Sequence, residues 1–112
     1  MILYVLYTFK NQLVMNALMC ASEEGNLNGL EELLNATRVD LNAANELGET
    51  AVHIAAGSGQ LEILQYLQYR GANVAVADKH GDTPLYWASR HGHVHVVNYL
   101  LKESIPVNCL NK

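Results

Sequence analysis

Two stretches of the chain share one apolar pattern. In "QLEILQYLQYR", Leu61, Ile63, Leu64 and Leu67 recur at spacings that place them on one broad helical face. "HVHVVNYLLKE" repeats the arrangement with Val94, Val96, Val97 and Leu100. Each is preceded by a shorter apolar segment, "AVHIAAGSG" or "PLYWASRHG", that ends at a glycine. The pattern predicts two helix pairs, each a short helix followed by a longer one. They are joined by extended turns around Ala43–Gly48 and Ala75–Gly81, with little or no sheet.

The shared pattern has a period of 33 residues. Sliding the chain by that amount sets Gly48 on Gly81, Thr50 on Thr83, Val52 on Leu85, Ala55 on Ala88 and Gly59 on Gly92. Leu61 then meets Val94, Ile63 meets Val96, Tyr66 meets Tyr99 and Leu67 meets Leu100. Within each unit the first glycine permits a tight turn. Thr50 or Thr83 stands where a helix N-cap belongs, and Pro84 follows at the first helical position, where its missing N–H costs little. Small residues, Ala55 and Ala56 or Ala88 and Ser89, let neighbouring short helices approach closely. Gly71 stops the longer helix of one copy.

These residues resemble the ankyrin repeat, whose signature T-P-L-H-x-A opens a 33-residue unit of a turn and two helices. The resemblance implies an all-α, ankyrin-repeat solenoid of helix-turn-helix units with β-turn or hairpin-like connections. Two units are complete, 45–77 and 78–110, and residues 111–112 begin a truncated next unit. A partial unit covers 16–44, aligning Ala21 with Ala55, Gly25 with Gly59, Leu27 with Leu61 and Leu33 with Leu67, and Asn16 falls at its N-cap position. Ala51 replaces the signature proline in one unit, and Tyr86 replaces the signature histidine in the next. By resemblance, His53 is structural, bonding locally and to the neighbouring unit. Ser104 and Pro106 depart from the usual pattern, which predicts a less regular last loop. The sequence stops where another unit should begin, so Val96, Val97, Leu100 and Leu101 are expected to be under-covered. This suggests an excerpt or short product of a longer array. "LYWASRHGHV" further resembles a repeat in the ankyrin block of the death-associated protein kinases, though no kinase motif or death domain accompanies it.

Residues 1–15 match nothing in the repeat. "MILYVLYTF" is uncharged, of high β-propensity and aggregation-prone. It is expected to cover the exposed side of the first unit or to self-associate with another chain. It is too short to span a bilayer, and Lys10 follows the apolar run where a signal peptide carries its charge first.

Composition changes the picture little. Half of the 112 residues are hydrophobic, enough for one domain with a core. The net charge of −4 argues against nucleic acid as partner. Residues 1–69 hold two basic residues against eight acidic ones, and residues 70–112 hold five against three. That gradient either orients a partner or is ordinary surface variation. Cys20 and Cys109 form neither a disulfide framework nor a zinc pattern, and suit a reduced, cytoplasmic protein.

Candidate chemistry is thin. His91, His93 and His95 alternate, which on a strand would share one face. In the repeat register they flank a turn glycine, Gly92, and should diverge. No catalytic, cofactor or metal motif is found, and adjacent acids such as Glu23 and Glu24 do not face each other on a helix. The expectation is therefore no enzyme, no cofactor and no metal. The resemblance implies a scaffold that binds another protein through the concave surface of turns and short helices. The candidate contact residues are Glu46, Leu47 and Glu49 on one turn, and Lys79, His80, Asp82, Arg90 and His91 on the next, with Trp87 beside them. Gly57 and Ser58 belong to the same surface. Trp87 is either a binding anchor or half-buried packing. The alternative is a structural spacer or covering element of a larger protein, without a partner site of its own.

Overall fold

A computed structural model describes residues 1–37 and 39–104, without the side chains of 7–10 and 104. The described residues form six helices and no strand. They are α1 (Ile2–Glu24), α2 (Leu27–Ala36), α3 (Ala51–Gly57), α4 (Leu61–Tyr69), α5 (Pro84–Arg90) and α6 (Val94–Ser104). They pair as α1–α2, α3–α4 and α5–α6, and α1, α3 and α5 stack side by side. The expected solenoid of helix pairs is the fold observed.

The caps fall where their chemistry requires. Thr50 Oγ1 accepts from the His53 backbone N–H, and the His53 ring accepts in return from the Thr50 N–H, a reciprocal capping box. Thr83 Oγ1 accepts from the Tyr86 N–H, with Pro84 at the first helical position. Asn26 caps α2 through the Gly29 N–H.

The two connecting turns are copies of each other. Asn45 Oδ1 accepts from the N–H groups of Leu47 and Glu49, and Asp78 Oδ1 accepts from those of His80 and Asp82. Successive turns stack through one backbone bond, from Lys79 N–H to the Leu47 carbonyl, 3.0 Å. Gly48 makes that approach possible. Its φ is 78°, and a Cβ there would lie 2.8 Å from the Lys79 nitrogen.

The core lies between the helix layers. Leu18, Leu30, Val52, Ala55, Ile63, Leu64, Leu67, Ala88, Val96 and Leu100 are essentially inaccessible. Ala55 and Ala88 hold α3 and α5 close, as their size allows. Side chains of one unit also bond the backbone of the unit before it. Gln60 Nε2 donates to the Glu23 carbonyl at 3.2 Å, and His93, which aligns with Gln60, meets the Gly57 carbonyl at 3.0 Å.

Three expectations are corrected. Residues 1–15 are helical, since α1 runs unbroken from Ile2 through the packed half of the first unit. No glycine or proline interrupts residues 1–24, and extending an anchored helix is cheap, so the β-propensity of the first residues does not prevail. Consequently Asn16 caps nothing. It lies inside α1 and its carboxamide accepts from Gln12 Nε2 at 3.1 Å. Residues 2–6 of α1 do not cover the first unit either, since Ile2, Leu3, Tyr4, Val5 and Leu6 are all exposed. Third, Val96 and Leu100 are fully buried rather than under-covered, since their four-residue spacing turns both onto α5; Val97 is half-buried and Leu101 exposed. Arg38, Cys109, the expected irregular loop after Ser104 and the truncated unit at 111–112 lie outside the described residues.

Candidate protein-binding face

Trp87 is placed by three restraints. Pro84 and Thr83 start α5, which turns the indole toward the preceding unit. Its ring packs against the His53 ring, with centroids 5.4 Å apart and planes tilted by 59°. Its Nε1–H donates to Asp78 Oδ2 at 3.1 Å. The missing side chain at Gly57 leaves the space it fills, since a Cβ there would come within 2.9 Å of Trp87 Cε3.

Asp78 ties the turn to that indole. Burial opposes ionisation of its carboxyl, but the Asp82 N–H, the Trp87 indole and the His80 N–H together hold it below the ordinary carboxylate value. Asp78 is therefore an anion fixed at the base of the surface, with only 8% of its area exposed.

Around Trp87 the surface forms two hollows. One, of about 240 Å³, is lined by Glu49, Asp78, His80, Asp82, Trp87, Arg90 and His91. The other, of about 260 Å³, is lined by Glu23, Ile54, Gly57, Ser58, Trp87 and His91. Trp87 and His91 stand between the two, and the walls come from three successive helix pairs. The first hollow unites six of the nine candidate residues. Glu46 and Leu47 lie apart from it, in a third hollow with Gln12, Met15, Ala44 and Asn45. Lys79 lines none of these, although it is exposed on the same run of turns.

Asp78 is a residue that the sequence reading missed. The available signal was its alignment with Asn45, since both open a turn and both have a side-chain oxygen placed to take two backbone N–H groups. The walls contributed by Glu23, Gln12 and Met15 carried no signal, because the length and course of α1 were not foreseen.

The three alternate histidines do different things. His93 reaches the Gly57 carbonyl, and the His91 ring lies 6.3 Å from the His93 ring. His95 is exposed within α6. Among the described residues no group of three His, Cys, Asp or Glu side chains is placed to hold a metal ion. No helix among them is long and apolar enough to cross a membrane.

The comparisons agree with this geometry. The family described as "Ankyrin repeats (3 copies)" matches residues 18–111. A putative ankyrin repeat protein of Rickettsia bellii is 31% identical over 94 residues, covering 80% of this chain and 56% of that protein. A putative ankyrin repeat protein of Rickettsia felis is 39% identical over 69 residues, covering 61% of this chain and 17% of that protein. Among solved structures, a chain from the complex of a predatory endopeptidase of Bdellovibrio bacteriovorus with an immunity protein superposes with a TM-score of 0.75. It is 32% identical, and the match covers 81% of this chain and 47% of that one. The chain thus spans little more than half of these relatives at most. With its three stacked helix pairs, its Thr-capped short helices and a family match over residues 18–111, the chain belongs to the ankyrin repeat family.

Proposed function

We propose that the chain binds another protein through the face around Trp87. Ankyrin repeats generally serve as protein-interaction modules rather than catalysts, presenting an extended concave surface. The observation that carries the reading here is Trp87 itself, a half-buried tryptophan between two hollows that together draw walls from three repeats. Such aromatics, rigid and partly desolvated, tend to concentrate binding energy. Glu46, Leu47, Glu49, Lys79, His80, Asp82, Arg90 and His91 surround it as the polar and apolar rim. The matched Bdellovibrio structure is named as a complex of two proteins, which accords with a protein partner.

A role in signalling or apoptosis rests only on the likeness of Leu85–Val94 to the death-associated kinases. A cytoplasmic address rests on the free thiol of Cys20, which suits a reducing compartment. The second reading, a spacer within a larger protein, is favoured by the small share of its relatives that the chain covers.

Co-purification with the full chain as bait, followed by mass spectrometry, separates the two readings. The double change Lys79→Glu with Arg90→Glu should deplete a bound protein without unfolding the bait, and Lys102→Glu, on α6, should retain it. Equal depletion by both baits would move the partner elsewhere. A bait that captures nothing specific would leave the spacer reading.

A further inference from the structure

Two backbone donors at the edge of the stacked turns have counterparts that are bonded one repeat later. Asn73 N–H donates to Asn42 Oδ1 at 2.7 Å, and Lys79 N–H donates to the Leu47 carbonyl at 3.0 Å. The positions 33 residues earlier are Asp40 and Glu46. Their local geometry is the same. Asp40 Oδ1 accepts from Asn42 N–H as Asn73 Oδ1 accepts from Ala75 N–H, and Asn45 holds its turn as Asp78 does. Yet the N–H groups of Asp40 and Glu46 have no acceptor among the described residues. Both residues are exposed.

The helix α1 stands beside these donors without bonding them. By the alignment of Ala21 with Ala55, residues 11–15 correspond to 45–49, the turn itself, but here they are helical. A helix interior uses its own N–H and carbonyl groups, so α1 cannot continue the ladder of turns. A groove separates the two. It comprises hollows of about 350 and about 450 Å³ that share Gln12 and Met15 on the helical wall. Asp40 lines the first and Glu46 the second. Val14, Leu18, Val39 and Ala43 make the first largely apolar.

We propose that this groove binds an extended, basic polypeptide segment of a partner protein, whose backbone carbonyls accept from the N–H groups of Asp40 and Glu46. The next turn of the same molecule shows the kind of group that covers these positions, an oxygen presented by extended chain. Charge sets the side chains, since among the described residues lining the groove the charged ones are Asp40 and Glu46, both acidic. An extended segment turns alternate side chains to opposite sides, so basic residues reach these carboxylates while apolar ones enter the first hollow. A second copy of the chain fits less well. Its later turn would offer the His80 carbonyl, the counterpart of Leu47, to Glu46, but at Asp40 it would place Ala75, the counterpart of Asn42, which has no side-chain oxygen. The site is separate from the Trp87 hollows and does not depend on them.

Nuclear magnetic resonance of the full, ¹⁵N-labelled chain tests the site directly. The probe is an acetylated, amidated heptapeptide of alternating lysine and valine. The amide protons of Asp40 and Glu46 should move downfield, more than those of Leu47 and Glu49, which already donate to Asn45. The Trp87 indole proton should stay in place, and a peptide of alternating glutamate and valine should move nothing. Glu46 is the second residue of a turn closed by Gly48 N–H to the Asn45 carbonyl at 2.9 Å, a position that proline favours. Glu46→Pro therefore removes the donor and the charge, and Glu46→Gln removes the charge alone. The dissociation constant should be at least about fivefold higher for the proline variant than for the glutamine variant. Should the proline variant fail to fold, Gln12→Lys should weaken binding and Gln12→Glu should strengthen it, at an exposed position where all three residues suit a helix. Equal losses from proline and glutamine, indifference to both Gln12 changes, shifts centred on Trp87, or unmoved Asp40 and Glu46 amides at millimolar peptide would each overturn the proposal. So would movement of the same amides on concentrating the chain alone, which would assign the groove to a second copy.

Discussion

His53 and Asp82, 29 residues apart, are joined by one hydrogen bond. His53 Nε2 lies 3.0 Å from the Asp82 carbonyl. Its other ring nitrogen, Nδ1, lies 3.1 Å from the Thr50 backbone nitrogen. A backbone N–H can only donate and a carbonyl can only accept, so the two contacts together fix one neutral tautomer with the proton on Nε2. The fully buried imidazole thus caps its own helix and clips that helix to the next turn.

His53→Phe should therefore cost more than its change of volume. It leaves the Thr50 N–H without its ring partner and removes the clip to Asp82. An expected loss is about 1–3 kcal/mol, read from urea unfolding with the slope unchanged. A loss no larger than that of an exposed histidine such as His95→Phe would show that the clip contributes nothing.

At the other cap, Thr83→Ala removes the acceptor for the Tyr86 N–H at the start of α5. The bond is long, 3.4 Å, and Pro84 already favours the helical start. A loss toward the lower end of about 0.5–2 kcal/mol is expected in thermal or urea melts. An unaltered melt would mean that Pro84 alone sets the boundary.

How much of this was legible in the sequence divides at residue 16. From Leu27 onward the 33-residue register gave the helix pairs, the threonine caps and the turn positions, because each depends on chemistry within a few residues. The clip from His53 to the next turn was implied only by resemblance, since its carbonyl partner lies 29 residues away. The course of α1 was not legible. Its β-branched and aromatic residues pointed away from helix, while the packing of Leu18 and Ala21 that anchors it is a tertiary effect. The Trp87 hollows were half legible: the turn residues stand at predictable positions, but the space left by Gly57 and the anchoring by Asp78 appear only when adjacent repeats are stacked.

Asp78 makes stability depend on acid. Its folded carboxyl is held below the ordinary value of about 3.9 by N–H donors, so its contribution is present above that value. It is lost as pH falls through the folded value. Asp78→Asn should keep the turn, because Asn45 performs the same bonding in the previous one, with its Nδ2 donating to Glu49. Melting temperatures measured from pH 7 downward should fall less steeply below about pH 4 for the Asn variant than for the wild type. Parallel curves would place the acid sensitivity in other carboxylates.

Gly57→Ala sets two local effects against each other. Alanine in place of glycine at the last residue of α3 gains at most about 1 kcal/mol of helix propensity, the full amount applying only to a helix interior. The new methyl would lie 2.9 Å from Trp87 Cε3, and the indole is held on its other sides by His53 and Asp78. An overpacked contact of that kind costs about 1–3 kcal/mol, so the indole should give way or the fold should lose stability. Trp87 is the sole tryptophan, and its fluorescence reports directly on this contact. The expected outcome is a red-shifted emission, as the indole loses its Asp78 bond and turns toward water, with no gain in melting temperature. Ser58→Ala, on the same hollow but without a steric conflict at the indole, should leave the emission unchanged. A Gly57→Ala protein with wild-type emission and higher stability would show that the tryptophan has room to spare, and would weaken its assignment as the rigid anchor of the binding face.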